Sequence, residues 1–280
     1  MPSDDFQYLL GDSEPEARRL DLQAALWDPV SHALFDRAGV ARGWRVLEVG
    51  PGRGSLHLEL RRRVAGPIDA VEQSPAFASA LAERCRADGF GVGRVWNQAL
   101  LDAPLPADHY DFVFARWVFL FLPNPAAHLA TLARALKPGG LIAIQDYYRD
   151  TFGLIPRPAD WEALVAADRA FFASQGGDAN IGARLPLLCD AAGLELVDIT
   201  ATTKSGRPGS AVWQWLSTYF LGVLEPYSAA SAKASAPKAF APLTRDAAGR
   251  IEAAWNEAAR HPTSLLIAPT VLDLLGRKRA

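Results

Sequence analysis

No stretch of this sequence stays apolar long enough to cross a bilayer. A spanning helix needs roughly 18 or more such residues in a row, and the nearest run, residues 112–122, carries Arg116 in its middle. Charge of one sign is lacking too: 29 basic residues face 31 acidic ones, for a net charge of −2 and a pI near 6.2. That is not the basic footprint of a nucleic-acid binder. Only two cysteines are present, Cys85 and Cys189, far apart and in no metal or redox spacing. They are expected as thiols of a reduced cytoplasm. The five histidines show no metal-ligand spacing, so no metal is expected. The chain begins Met-Pro-Ser-Asp-Asp, without a basic region or an apolar signal core. There is no internal repeat, no Gly-x-Ser-x-Gly and no kinase signature.

What the chain does have is apolar substance. Half of its 280 residues are hydrophobic, enough for a sizeable core in one large domain or a domain with an insertion. The most readable stretch is residues 45–55, Arg-Val-Leu-Glu-Val-Gly-Pro-Gly-Arg-Gly-Ser. Val46, Leu47 and Val49 read as a buried strand. Gly50, Gly52 and Gly54 stop it, and the apolar residues then resume as Leu56, Leu58 and Leu60, with charges at Glu59 and Arg61. Strand, glycine turn and helix together bring unpaired helix N–H groups and close-approaching backbone to the carboxyl end of a strand.

The glycine spacing narrows the ligand. A dinucleotide turn reads Gly-x-Gly-x-x-Gly; here the third glycine comes one residue early, and Glu48 lies two residues before the first. This resembles the first motif of class I S-adenosylmethionine-dependent methyltransferases, apolar-Leu-(Asp/Glu)-apolar-Gly-x-Gly-x-Gly. The alternative is a structural glycine turn in some other α/β protein. Further on, Tyr110-Asp-Phe-Val113 and Leu136-Lys-Pro-Gly-Gly-Leu-Ile-Ala-Ile144 resemble the same family, so the likeness covers residues 45–146. Its nearest group is the ubiquinone-methyltransferase-like and small-molecule enzymes.

The resemblance implies a Rossmann-like, doubly wound α/β fold with a seven-stranded, mostly parallel sheet. It also implies S-adenosyl-L-methionine as cofactor and a small-molecule acceptor. It places Glu48, Gly50, Gly52, Arg53 and Gly54 at the cofactor. Residues 68–71 read as a short second strand ending in Glu72, 18 residues after Gly54. A carboxylate there, with Gln73 beside it, can accept from both ribose hydroxyls; the plainer reading is a solvated acid. Where the family usually has Gly-Asp-Ala, this chain has Asn97-Gln98-Ala99. The Gln98 amide can still meet the adenine amino group, with the Ala99 and Leu100 backbone at the adenine edge. Arg116 is costly inside an apolar segment unless paired. It is either a fork for the methionyl carboxylate or a structural partner of Asp146 or Glu48. Relatives place a histidine where this chain has Phe121, so that base is lacking.

The remaining elements follow from periodicity and breakers. Residues 4–42 read as helical, opening with a capping-box form at Ser13–Glu16. Helices are expected over 55–64, 75–87, 128–135, 156–175, 181–192, 210–227 and 245–260. Strands are expected over 92–97, from 112, 137–146, 194–203 and around 269–275. The domain expectation is an N-terminal helical cap over 1–43, a core over 44–205, a helical lid insertion over 206–262, and a last strand within 263–280. An Ala/Ser/Pro-rich connector is expected at 228–242.

The lid reading puts Trp213, Tyr219 and Phe220 on an acceptor pocket with Trp117 and Tyr147. Tyr8 and Gln23 would reach the cofactor from the cap. The bland reading makes the same aromatics a core stripe or a homodimer contact. For catalysis the residues offer only His32, Tyr147 and Tyr148 as bases. The expected activity is in-line methyl transfer to an O-, N- or C-nucleophile. The rivals are a cofactor-binding or dimerising homologue without activity and an NAD-dependent oxidoreductase.

Overall fold

The computed structural model describes residues 14–231, apart from 88, 90 and 92, and residues 243–279. Tyr8, the capping-box serine Ser13 and most of the 228–242 connector lie outside the described residues. The chain forms two compact units.

The larger unit takes residues 30–152, 168–203 and 269–280. It holds a seven-stranded sheet. In chain order the strands are β1 (Val46–Val49), β2 (Asp69–Val71), β3 (Val95–Trp96), β4 (Tyr110–Arg116), β5 (Leu136–Tyr148), β7 (Leu194–Thr202) and β10 (Thr270–Lys278). Their spatial order is β3-β2-β1-β4-β5-β10-β7. The first five pair in parallel, and β10 runs antiparallel between β5 and β7.

Chain order reverses between β1 and β4, so a topological switch point opens at their carboxyl ends. The parallel crossovers are right-handed as a rule. Helices α2 (Ser55–Val64) and α3 (Pro75–Ala87) therefore cover one face, and α4 (Pro125–Ala135) covers the other. The second half of α1 (Glu14–Ala38) joins α2: Leu34, Phe35, Leu56 and Leu60 pack on Phe112 and Phe114 of β4, all at 3% exposure or less. Burial at this level stabilises by roughly 1.5–3 kcal/mol for each large side chain.

The smaller unit takes residues up to Pro29, 153–167 and 204–268. Three short strands form its own antiparallel sheet: β6 (Gly153–Ile155), β8 (Ser205–Gly206) and β9 (Leu265–Ile267), in the order β6-β9-β8. Helices α7 (Ala211–Ser231) and α8 (Arg245–Ala258) complete it with the start of α5 (Trp161–Ser174). Residues 153–167 thus group with the insertion rather than with the 44–205 core. The reason is direct pairing: Leu154 registers with Leu266, and the Trp161 ring stacks on Trp255 at 6.0 Å. Helix α7 also runs through Pro226 to Ser231, past the expected start of the connector. Among the described residues, no helix is long and apolar enough to cross a membrane.

Candidate functional site

The glycine loop sits at the switch point, and its glycines do different work. Gly50 (φ +65°) and Gly54 (φ +77°) occupy left-handed backbone against close neighbours. An added Cβ would meet Val118 Cγ2 or Leu81 Cδ1 at 2.6 Å. A Cβ at Gly52 would meet nothing within 4 Å, so the loop's crest stands open to a ligand.

Glu72 follows β2 and is 7% exposed. Its carboxylate accepts from Gly52 N–H at 3.1 Å and from Ser74 N–H at 2.9 Å. Burial raises its pKa, with those N–H bonds opposing. The strand end is pinned from the far side, where Asn97 Nδ2 donates to the carbonyls of Glu72 and Gln73 at 2.8 and 3.0 Å.

Glu48 has a different task. It is 3% exposed and pairs with His57 Nδ1 at 2.9 Å. The pair joins β1 to the first turn of α2 and so ties the two ends of the glycine loop together. Burial works against a charged His57, but hydrogen bonds to Cys85 and Glu48 and the Glu48 charge outweigh it, and its pKa rises to about 9. His57 was not singled out in the sequence, although its place three residues after Gly54 is a position from which a side chain can reach back to the strand.

Arg53 is exposed, and its carbonyl accepts from Arg84. Gln98 donates from Nε2 to the Asp102 carbonyl at 2.5 Å, which leaves its side-chain oxygen as the group to meet an amino donor. Ala99 and Leu100 build the turn beside it, with Asp102 N–H bonded to Ala99 O at 3.0 Å.

At the end of β4, Arg116 donates to Ser31 Oγ at 3.0 Å. The two acids considered as its partners are held otherwise. Glu48 carries His57, and Asp146 accepts the N–H groups of Leu120 and Tyr147 at 3.1 and 2.8 Å. Burial pushes Asp146 up to about 7, against the pull of those N–H bonds.

Trp117 comes next at φ +55°, a conformation that costs a bulky residue about 1–3 kcal/mol. Its ring stacks on Tyr147 at 5.4 Å and 12°, with the Arg116 guanidinium 4.6 Å from the Trp117 centroid. Arg149 lies over Tyr147 at 5.5 Å and over Phe172 at 5.1 Å. Guanidinium groups therefore already associate with both rings of the Trp117–Tyr147 stack.

The other expected site residues have these neighbours. At 100° per residue His32 is turned from the Ser31 side of α1 toward Phe35, 6.5 Å away, and toward Glu59 of α2. Trp213 and Phe220 are 6% and 1% exposed and pack on Trp255, at 6.5 and 6.0 Å. Gln23 is bonded within the smaller unit, accepting from Arg19 at 2.7 Å and Trp215 Nε1 at 3.3 Å. Tyr219 there has Arg19 over its ring at 5.8 Å. Tyr148 is 37% exposed at the end of β5.

Fold and site together describe an α/β protein with a glycine loop and a buried acid at the carboxyl ends of its first two strands. Comparison with known proteins shows what the chain is similar to. The profile described as "Methyltransferase domain" matches residues 47–144. Methyltransferase GfsG of Streptomyces halstedii is 24% identical over 200 residues, covering 71% of this chain and 70% of that one. Trans-aconitate 2-methyltransferase of Azoarcus sp. is 33% identical over 178 residues, covering 61% and 62%. Among solved structures, a phosphoethanolamine N-methyltransferase of Haemonchus contortus, complexed with phosphomonomethylethanolamine and S-adenosylhomocysteine, shares the fold. Its TM-score is 0.53 at 15% identity over 89% of this chain and 52% of that one. Over residues 47–144 the chain is thus similar to the methyltransferase-domain family, and its fold is that of the methyltransferase structures it resembles.

Proposed function

We propose that the chain transfers a methyl group from S-adenosylmethionine to a small-molecule acceptor. One observation carries this reading: the open crest of the glycine loop faces the Glu72 carboxylate, which already accepts the Gly52 N–H. Those residues fit the adenosyl half of the cofactor. The loop leaves room for a nucleoside. Glu72 has two oxygens, and ribose hydroxyls can exchange with its Gly52 and Ser74 bonds. Gln98 and the turn at Ala99 and Leu100 suit an adenine edge. Arg116 suits the methionyl carboxylate. When bound, the cofactor supplies an already activated methyl group.

The chain's own part is then to hold acceptor and donor in line. Such positioning supplies up to about 7–11 kcal/mol of a barrier. With His32 turned to α2, no base is assigned. The rings of Trp117 and Tyr147 act as an apolar wall rather than as cation receptors, because guanidinium groups already lie against them.

Glu72→Ala is expected to weaken S-adenosylhomocysteine binding by about 1–3 kcal/mol, the scale of losing hydrogen bonds to a charged group. Since burial raises the Glu72 pKa, wild-type affinity should fall as pH drops through that pKa. Glu72→Gln should flatten the dependence. Titration calorimetry reads both, and an affinity indifferent to the substitution would remove Glu72 from the ribose. Calorimetry with NAD is the control: binding of NAD and not of S-adenosylmethionine would overturn the proposal. Binding of S-adenosylmethionine with no labelled methyl passed to a broad acceptor panel would favour a cofactor-binding homologue without activity.

A further inference from the structure

A polar row crosses the apolar sheet beside Arg116. Arg116 of β4 registers with Gln145 of β5, and Gln145 registers with Asp273 of β10. Paired residues on neighbouring strands point to the same face, so these three side chains share one side of the sheet. Ser31 of α1 reaches the same side. Ser31, Gln145 and Asp273 are 0%, 1% and 1% exposed. Neighbouring rows hold Phe112, Phe114, Ala143 and Leu275, all core residues.

The bonds along the row run one way. Arg116 can only donate, and it donates to Ser31 Oγ at 3.0 Å. The Ser31 hydroxyl then donates to Gln145 Oε1. With its oxygen used, Gln145 donates from Nε2 to Asp273 Oδ1 at 2.7 Å. The other Asp273 oxygen takes Arg37 at 3.2 Å, and Arg37 also holds Asp198 at 2.8 Å near the surface. A guanidinium at one end and a carboxylate at the other fix each proton and the Gln145 amide orientation between them.

Stability does not explain such a row. Apolar residues of similar volume are often as stabilising or more so in place of buried polar groups. We infer that Ser31, Gln145 and Asp273 are positioning residues that aim the Arg116 guanidinium at the amino-acid carboxylate of the methyl donor. The inference rests on the proposed cofactor reading and adds to it three residues that touch no ligand themselves. Their effect should appear only for ligands that carry the carboxylate.

The test compares two nucleosides: S-adenosylhomocysteine, which has the carboxylate, and 5′-methylthioadenosine, which lacks the amino-acid tail. Titration calorimetry is run on the wild type, Gln145→Leu and Ser31→Ala, the second removing a single oxygen. Both variants should bind S-adenosylhomocysteine roughly tenfold more weakly. Both should bind 5′-methylthioadenosine within about twofold of the wild type, which also shows that they fold. An equal loss for both nucleosides would make the row merely structural, and no loss for either would leave it without a role; each result overturns the inference. Failure of the wild type to bind either nucleoside is a different result, and it sinks the cofactor reading together with the inference.

Discussion

Replacing Asp168 with alanine is expected to lower the stability of the chain by about 3–5 kcal/mol, the cost of breaking a buried ion pair from one side. Asp168 takes Arg149 through both oxygens, from Nε at 2.7 Å and Nη2 at 2.6 Å. The two side chains are 1% and 5% exposed. Alanine removes the counter-ion of a buried guanidinium that also lies over Tyr147 and Phe172. The pair itself need not be stabilising relative to apolar packing. Arg149→Met combined with Asp168→Leu should therefore recover most of the loss. Urea unfolding of the single and double variants checks both statements. A single variant within about 0.5 kcal/mol of the wild type would show that the charge at Arg149 is satisfied without Asp168.

The Glu48–His57 pair gives the second large effect, and its mark is pH. His57 stands at about 9 in the folded chain against 6.5 for the ordinary side chain. A group raised in this way lends stability that is complete below its unfolded pKa and is lost as pH climbs through the folded one. The gap corresponds to about 3 kcal/mol, present near pH 6 and gone above 9. Glu48→Gln keeps the shape and removes the charge. Because Cys85 also raises His57, the substitution should cost only part of that stability near pH 6, and about 1 kcal/mol or less near pH 10. Because the pair closes the ends of the Gly50–Gly54 loop, the same variant should loosen nucleoside binding at neutral pH. A destabilisation that does not change with pH would mean that His57 is neutral in the folded chain.

The parts of this fold that could be read from the residues are those with a local signature. Val46–Val49 and Tyr110–Arg116 are short buried runs cut by glycine or by a polar stop. Helix α3 spans Pro75–Ala87, as its opening proline and apolar spacing suggest. The place of Glu72 just after β2 was legible because its distance from the glycine loop is set by one strand–helix–strand unit.

The small sheet was not legible, because strands of two and three residues such as Ser205–Gly206 and Leu265–Ile267 have no period. Its existence moved residues 153–167 out of the expected core. Prolines did not hide the helices: α1, α6 (Ile181–Ala191) and α7 each run through one, as the expected spans 4–42, 181–192 and 210–227 had it, since tertiary packing outweighs one missing hydrogen bond.

The polar row was the hardest to see. Ser31, Gln145 and Asp273 are isolated polar residues 114 and 128 positions apart, and only strand register brings them together. Arg116 was the one visible end, conspicuous as a cation in an apolar run. His32 drew attention by its chemistry, yet helix geometry sends its neighbour Ser31 to the sheet instead.

The most direct measurement is a crystal structure of the chain with S-adenosylhomocysteine. The expected density places the nucleoside across Gly50–Gly54, both ribose hydroxyls on the Glu72 carboxylate and the amino-acid carboxylate on Arg116. Density for the ligand elsewhere, with Glu72 still bonded to Gly52 and Ser74 and the loop crest closed by the protein's own side chains, would contradict it.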